Sequence, residues 1–236
     1  MKTQIIYLAT IIYVLLCPRI MAQGYKADTI KVNAGKLSTQ LGDKKDIITS
    51  LTLKGEINGS DITTIRSMAK LTVLNLADVD IVKGGTFISS IYDDKIEIPN
   101  NEIPEEMLYE KDKLIAVTLP ENITAIGLKS FSDCSKLGSM VIPDKVISIG
   151  TNAFFGCTSL KELTIPASVT TIDYGAFQSC SALSKIRCKG TNPVKITNFT
   201  FYGVSTGACK VYVPIGAAAA YKAAEGWKEF KNIIEE

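Results

Sequence analysis

A chain of 236 residues that is 46% hydrophobic can bury one sizeable core, yet it contains no histidine. The commonest general base, the Ser-His and Cys-His nucleophile pairs and the usual imidazole metal ligands are thereby removed together. The formal charge is +2, and Lys2 and Arg19 fall in an amino-terminal segment without acids, so the remainder is balanced and offers no field for nucleic acid or an anionic membrane.

Residues 1–22 read as a secretory signal: Lys2 gives the positive start, Ile5 to Leu16 the apolar run, and Ala22 a small residue before a cut at Gln23. The run is too short to span a bilayer, so no membrane insertion is expected once it is removed and the protein is expected to be exported: secreted, periplasmic or cell-surface. Cys17 raises the alternative of a lipidated cysteine, but Leu15-Leu16 before it and Pro18 after it fit that chemistry poorly.

Residues 23–47 carry no full repeat. Thr29 to Val32 alternates like a short strand, and Gly35 to Leu41 fits one or two helical turns stopped by Gly42. A stack of coils needs its first apolar face covered, and this segment is read as that cap.

Repeats occupy 48–210. Ile48-Thr-Ser-Leu-Thr-Leu53 and Leu71-Thr-Val-Leu-Asn-Leu76 begin 23 residues apart, and from Leu114 to Ala182 the same 23-residue phrase is written three times. Pro120, Pro143 and Pro166 punctuate the copies, while Ile126/Ile149/Ile172, Phe131/Phe154/Phe177 and Cys134/Cys157/Cys180 keep step. Such a period means a solenoid, each coil burying its apolar face against the next. The inward pairs Leu51/Leu53, Leu74/Leu76, Val117/Leu119, Met140/Ile142, Leu163/Ile165, Ile186/Cys188 and Val211/Val213 define seven short strands, one per coil.

Between Leu76 and Val117 the chain is too long for one coil. Either Ile96-Glu-Ile-Pro99 is an eighth strand, which the spacing slightly favours, or residues 78–94 form a loop, with Lys83 to Asp94 the expected protrusion around Gly84-Gly85. After Ala182 the fourth copy gains one residue near Gly190-Thr-Asn-Pro193, so Ile196, Phe201 and Val204 arrive one step late. Residues 211–236 give the last strand and a closing helical cap, with Ala217 to Ala224 helix-forming and Trp227, Phe230 and Ile233 spaced for an apolar face.

The phrase Leu160-Lys-Glu-Leu-Thr-Ile-Pro-Ala-Ser-Val-Thr-Thr-Ile-Asp-Tyr-Gly-Ala-Phe-Gln-Ser-Cys-Ser-Ala-Leu183 closely resembles the repeat of BspA-like leucine-rich repeat proteins, and the ending from Val211-Tyr-Val-Pro to Trp-Lys-Glu-Phe-Lys-Asn-Ile resembles the terminal cap of that family. The resemblance spans about Ile48 to Ile234. It implies an α/β solenoid of the leucine-rich repeat type, of seven or eight coils with one short parallel strand each, exported, surface-associated and without catalytic residues; some relatives adhere to host matrix proteins. Lys111 in the cysteine column and Lys189 in place of a proline depart from the pattern.

Weighed as chemistry, the repeated columns are scaffold. Phenylalanines in identical register would stack at ~4.8 Å per coil and fill the core. Cys134, Cys157 and Cys180 lack the close pairing of zinc ligands, and Val204 takes the same slot, so buried thiols are expected, with one bond between neighbouring coils as the alternative. Cys188 aligns with Val213, which leaves Cys209 about 13 Å back along the strand and out of easy bridging reach. No metal and no cofactor are expected. Carboxylates are the only catalytic groups left for a hydrolase; Asp93-Asp94, Glu105-Glu106 and Asp78/Asp80 are candidates by type alone, and each sits where solvated charge is ordinary. The Asn58, Asn122 and Asn198 triplets fit glycosylation acceptors, relevant only to a eukaryotic secretory path.

What varies between copies is the exposed middle of each strand, and function is sought there. Thr118, Val141, Thr164, Arg187 and Tyr212, with Lys185 and Lys210 in the flanking column, are expected to form a ribbon whose later end is cationic and aromatic. The leading expectation is a non-enzymatic binder of a protein ligand, possible host or matrix adhesion being implied by the resemblance alone. The alternatives are a glycan-binding module, for which this ribbon offers only Tyr212 as a sugar platform, or a structural envelope spacer.

Overall fold

The computed structural model describes residues 25–236; the leader, its cut site and Cys17 lie outside the described residues. The strand face is built first from β1 (Tyr25–Lys26) and β2 (Ile30–Val32), which both pair in parallel with β3 (Ile48–Ile57). Then come β4 (Val73–Ile81) and β6 (Ala116–Thr118), and a second hydrogen-bonded block of β8 (Ser139–Val141), β10 (Glu162–Ile165), β12 (Lys185–Cys188), β13 (Lys210–Val213) and β14 (Asn232–Glu235). The blocks are joined where the Gly138 N–H donates to the Ile115 C=O at 3.1 Å. Every inward pair named from the sequence is buried, because alternation on a strand sends those two side chains to one face.

The apolar fragment Ile96 to Pro99 is not an eighth strand. β4 pairs directly with β6, Val73 with Ala116 and Asn75 with Thr118, and leaves no place between them. The intervening chain folds out as a small hairpin: Ile88 and Lys95 bridge in antiparallel fashion, with the Ile96 N–H donating to the Phe87 C=O at 2.8 Å. Gly84 and Gly85, at φ of 103° and 71°, turn the chain where other residues would be strained. Phe87 and Ile98 are buried, so the alternation that imitates a strand anchors a loop instead.

A second difference is a second ladder. β5 (Glu102–Ile103), β7 (Ala125–Ile126), β9 (Ser148–Ile149) and β11 (Thr171–Ile172) pair in parallel on another side of the stack. The central coils therefore carry two strands rather than one, and the isoleucine column is the buried half of this ladder. Between the ladders the core stacks as expected: Phe131, Phe154, Phe177 and Phe201 lie 4.9, 5.2 and 5.3 Å apart, within 9° of parallel.

Cys134, Cys157, Cys180, Cys188 and Cys209 are free thiols. In the repeated column each Sγ donates to the carbonyl of a residue one coil earlier, Leu108, Phe131 and Phe154, at 3.1, 3.2 and 3.2 Å. Burial pushes the Cys134 and Cys180 thiols up to about 12. The column thus satisfies buried carbonyls as well as filling space, which explains why Lys111 can occupy it. Its ammonium donates to the C=O groups of Arg66 and Met68, the latter at 3.0 Å, at the C-terminal end of helix α2 (Gly59–Ser67), where a cation is favoured.

Helix α1 (Leu37–Leu41) belongs to the amino-terminal cap and is fastened by Asp61 of α2. The Asp61 carboxylate accepts from the Gly35 N–H at 2.6 Å, the Leu37 N–H at 2.9 Å and the Asn58 N–H at 3.0 Å, and is fully buried. Asn58 and Asp61 form a capping box, so one side chain closes two helices.

The carboxyl-terminal cap is only partly helical. Helix α3 (Ala218–Ala223) ends at Ala224, Gly226 turns at φ 75°, Trp227–Glu229 make one 3-10 turn, and β14 adds in parallel to β13. Trp227, Phe230 and Ile233 consequently do not share a helix face. Trp227 and Phe230 pack on Phe201 at 5.5 and 5.4 Å, the Trp227 indole N–H donates to the Val194 C=O at 2.8 Å, and Ile233 pairs with Val211.

Candidate functional site on the strand face

Hydrogen-bond register decides which exposed side chains become neighbours. Val141, Thr164, Arg187 and Tyr212 form one file across β8, β10, β12 and β13, and Ile234 of β14 extends it. Ser139, Glu162, Lys185, Lys210 and Asn232 run beside it. Thr118 lies across the junction between the two blocks, in register with Asn75 rather than paired to Val141. The structure therefore brings together six of the seven residues chosen from sequence and leaves Thr118 at the boundary.

The later end of the file is ordered by its own contacts. Lys185 Nζ sits 5.8 Å from the Tyr212 ring centre and the Arg187 guanidinium 5.7 Å from it, so two cations hold one aromatic. Each cation also meets a carboxylate. Lys185 pairs with Glu162 at 3.5 Å, and Arg187 grips Glu236 with two donors, Nη2 to Oε2 at 3.0 Å and Nε to Oε1. The hydrogen bond to Glu236 raises the Arg187 pKa, and the same bond holds the Glu236 carboxyl below its usual range. Charge here is largely compensated, so the expected cationic patch is reduced to Lys210, which is exposed and has no ion-pair partner among the described residues. Val141 at 48% and Ile234 at 38% exposure supply apolar surface at the two ends.

Glu236 and Ile234 escape sequence reasoning because residues 227–236 read as helix. A signal was present: Ile233 stands 22 residues after Val211, close to the repeat. The carboxylates considered for hydrolysis are placed differently. Glu106 is fully buried, accepting from Ser89 Oγ and the Ser90 N–H, each at 2.8 Å, with Arg66 at 3.8 Å, and so ties the hairpin down. Glu105 faces a cavity of about 490 Å³ lined also by Tyr92, Asp94, Glu97 and Glu102, and burial, then the neighbouring Glu106 charge, raises its pKa.

Residues 101–215 match the family model described as BspA type Leucine rich repeat region, in six copies. Among curated proteins none matches. Solved structures similar to the chain include the Treponema pallidum leucine-rich repeat protein, at 17% identity over 81% of this chain and 75% of that one, with a TM-score of 0.42. The pneumococcal vaccine antigen PcpA is 16% identical over 79% of this chain and 56% of its own, with a TM-score of 0.48. A leucine-rich cell surface protein of Faecalibacterium prausnitzii is 19% identical over 71% of this chain and 34% of its own, at 0.43.

Proposed function

We propose, from the match of residues 101–215 to the BspA-type leucine-rich repeat family model, that the chain is an exported, non-enzymatic repeat protein binding a protein partner through its strand face. The observation that carries this is the file Val141, Thr164, Arg187, Tyr212 and Ile234, held in strict register across five strands. Long cationic side chains lose entropy when they bind. Here Lys185 and Arg187 are already positioned by Tyr212 and by acidic neighbours, so part of that cost is met before contact. An aromatic flanked by arginine, with apolar ends, has the composition enriched at binding hot spots.

Five strands at ~4.8 Å span roughly 19 Å, whereas a stable interface covers about 800 Å² on each partner. A partner must therefore rest on the flanking file as well, which puts Lys210 and Ser139 inside the footprint. The apolar run Ile5 to Leu16 after Lys2 supports export.

The test is capture from serum and from extracellular-matrix extract by immobilised protein, compared with the Arg187→Glu/Tyr212→Ala double variant. Loss of a specific captured protein with the variant, at unchanged thermal stability, supports the assignment. A variant that captures the same set in the same amounts removes the strand face from consideration.

A further inference from the structure

A second exposed surface lies on the turns that follow the short ladder, and it is aromatic. Tyr174, Phe199 and Tyr202 are 49%, 46% and 61% exposed, yet they touch in a row. The ring centres are 5.0 Å apart for Tyr174 and Phe199 and 6.2 Å apart for Phe199 and Tyr202, with tilts of 31° and 37°. Single exposed apolar side chains are ordinary; a contiguous exposed row marks a binding surface.

The scaffold does not require these rings. Tyr174 occupies the position held by Thr151 and Leu128 in the two preceding coils, and Tyr202 that held by Gln178 and Phe155. Their backbones do the structural work: the Asn152 N–H donates to the Tyr174 C=O at 2.9 Å and the Ser179 N–H to the Tyr202 C=O at 2.7 Å. The core at this level is filled by Phe177, Phe201 and Trp227, all buried. The three rings are therefore firmly placed at their base, overlap one another in part, and leave about half of their surface open to solvent.

We propose that Tyr174, Phe199 and Tyr202 form a platform for a neutral, linear glycan. A sugar ring has an apolar C–H face and a rim of hydroxyls. The electron-rich face of an aromatic ring attracts the first, and phenolic hydroxyls both donate to and accept from the second. The tilts give each ring its own face along a stepped track, which suits successive sugar units better than a single flat apolar contact. The residues next to these rings in the chain, Gln178, Thr197 and Asn198, are polar and uncharged, and Asp173 and Lys195 contribute one charge of each sign. The turn at Gly226 that lies against Ile196 and Thr197 brings Glu225 and Lys228, which pair with each other at 2.8 Å. No field therefore selects an anionic ligand. A protein hot spot would pair such aromatics with arginine inside a packed apolar surround, and neither is supplied by these neighbours.

The test uses hexasaccharides of β-linked glucose, mannose, xylose, galactose and N-acetylglucosamine, with a sulfated hexasaccharide for comparison, titrated calorimetrically into the full mature protein. At least one neutral hexasaccharide binds, Tyr174→Ala and Tyr202→Ala each weaken it about tenfold or more, and Arg187→Glu/Tyr212→Ala leaves it unchanged. Because these rings are exposed, thermal midpoints stay at the wild-type value. Three results overturn the proposal: no neutral hexasaccharide binding at millimolar concentration, equal binding by the aromatic variants, or tightest binding by the sulfated chain. Loss of a captured serum or matrix protein in Tyr174→Ala, without glycan binding, reassigns the surface to a protein partner and equally refutes it.

Discussion

Truncating Phe154 to alanine tests whether the repeated phenylalanine is scaffold. The ring is fully buried and lies 4.9 Å from Phe131 at 2° and 5.2 Å from Phe177 at 6°, so two stacked contacts vanish with it. Removing a buried phenylalanine costs about 3–5 kcal/mol, and each aromatic pair is worth about 0.5–1.5 kcal/mol beyond area burial. Close stacking in register leaves neighbouring coils little freedom to collapse into the gap, so the expected loss is at the upper end, about 4–5 kcal/mol. Phe154→Leu refills most of the volume and loses only the stacking, about 1–2 kcal/mol. Urea unfolding followed by circular dichroism and by Trp227, the only tryptophan, measures both variants. Since each coil supports only its neighbours, the alanine variant is also expected to separate the two probes, Trp227 reporting the last coils alone. A loss below about 2 kcal/mol in the alanine variant, or a leucine variant equally damaged, would refute the stacking argument.

Asp61→Ala strips three backbone N–H groups of one acceptor; a loss of about 3 kcal/mol or more is expected, visible first as faster amide exchange across residues 30–41. Lys111 is depressed to about 8, chiefly by burial and then by Arg66. Its unfolded state binds more protons between that pH and about 10.4, so wild type should gain stability relative to Lys111→Met as pH rises through this window; a constant difference from pH 7 to 10 contradicts the assignment. Thiols pushed up to about 12 at Cys188 and about 11 at Cys209, like those of the repeated column, stay protonated at pH 8. A thiol reagent should then label none of these five in native protein prepared without residues 1–22 and all five in guanidinium, and one fast native reaction would show the burial to be wrong. Gly150→Ala drives a Cβ to within 2.9 Å of the Gly127 carbonyl carbon and the Leu128 nitrogen; a loss of several kcal/mol is expected in thermal unfolding, and a neutral result would show that the coils are not in backbone contact there.

The repeat period made the strand face legible because one geometric rule governs every coil: two inward side chains and one outward at each strand. Leu51, Leu163 and Val211 could be placed without knowing anything else about the chain. The thiol column was legible as buried but not as hydrogen-bonded, since spacing says where Cys157 sits and not which carbonyl it meets. Ile96 to Pro99 misled because alternation reports burial, and an anchored hairpin needs burial as much as a strand does. The last ten residues misled for another reason. Trp227, Phe230 and Ile233 have helical spacing, but Gly226 ends the helix and the vacant edge of β13 offers hydrogen bonds that a solvated helix there could not match. The strand-face file was visible as a column of variable residues. Its charge balance was not, because Glu236 reaches Arg187 only after β14 pairs, and no repeat predicts a partner 49 residues away.

Two departures from the 23-residue period share one location. The single extra residue near Gly190 follows β12, and the hairpin of residues 82–101 follows β4. Both leave the stack just after a strand ends, and in both cases the columns beyond resume, with Phe201 stacking on Phe177 and Val117 pairing with Leu74. Length is therefore negotiable at that corner, as it also is just before β13, where Val211 stands 25 residues after its partner Ile186 although Phe201 stands 24 after Phe177. A strand or a phenylalanine turn fixes its neighbours through direct ladders, whereas the corner only has to deliver the chain to the next Ile column. For an engineer this is a row of equivalent grafting points along one rim of the strand face. A foreign loop inserted after Pro143 or Pro166 would stand beside the exposed file without disturbing the register that builds it.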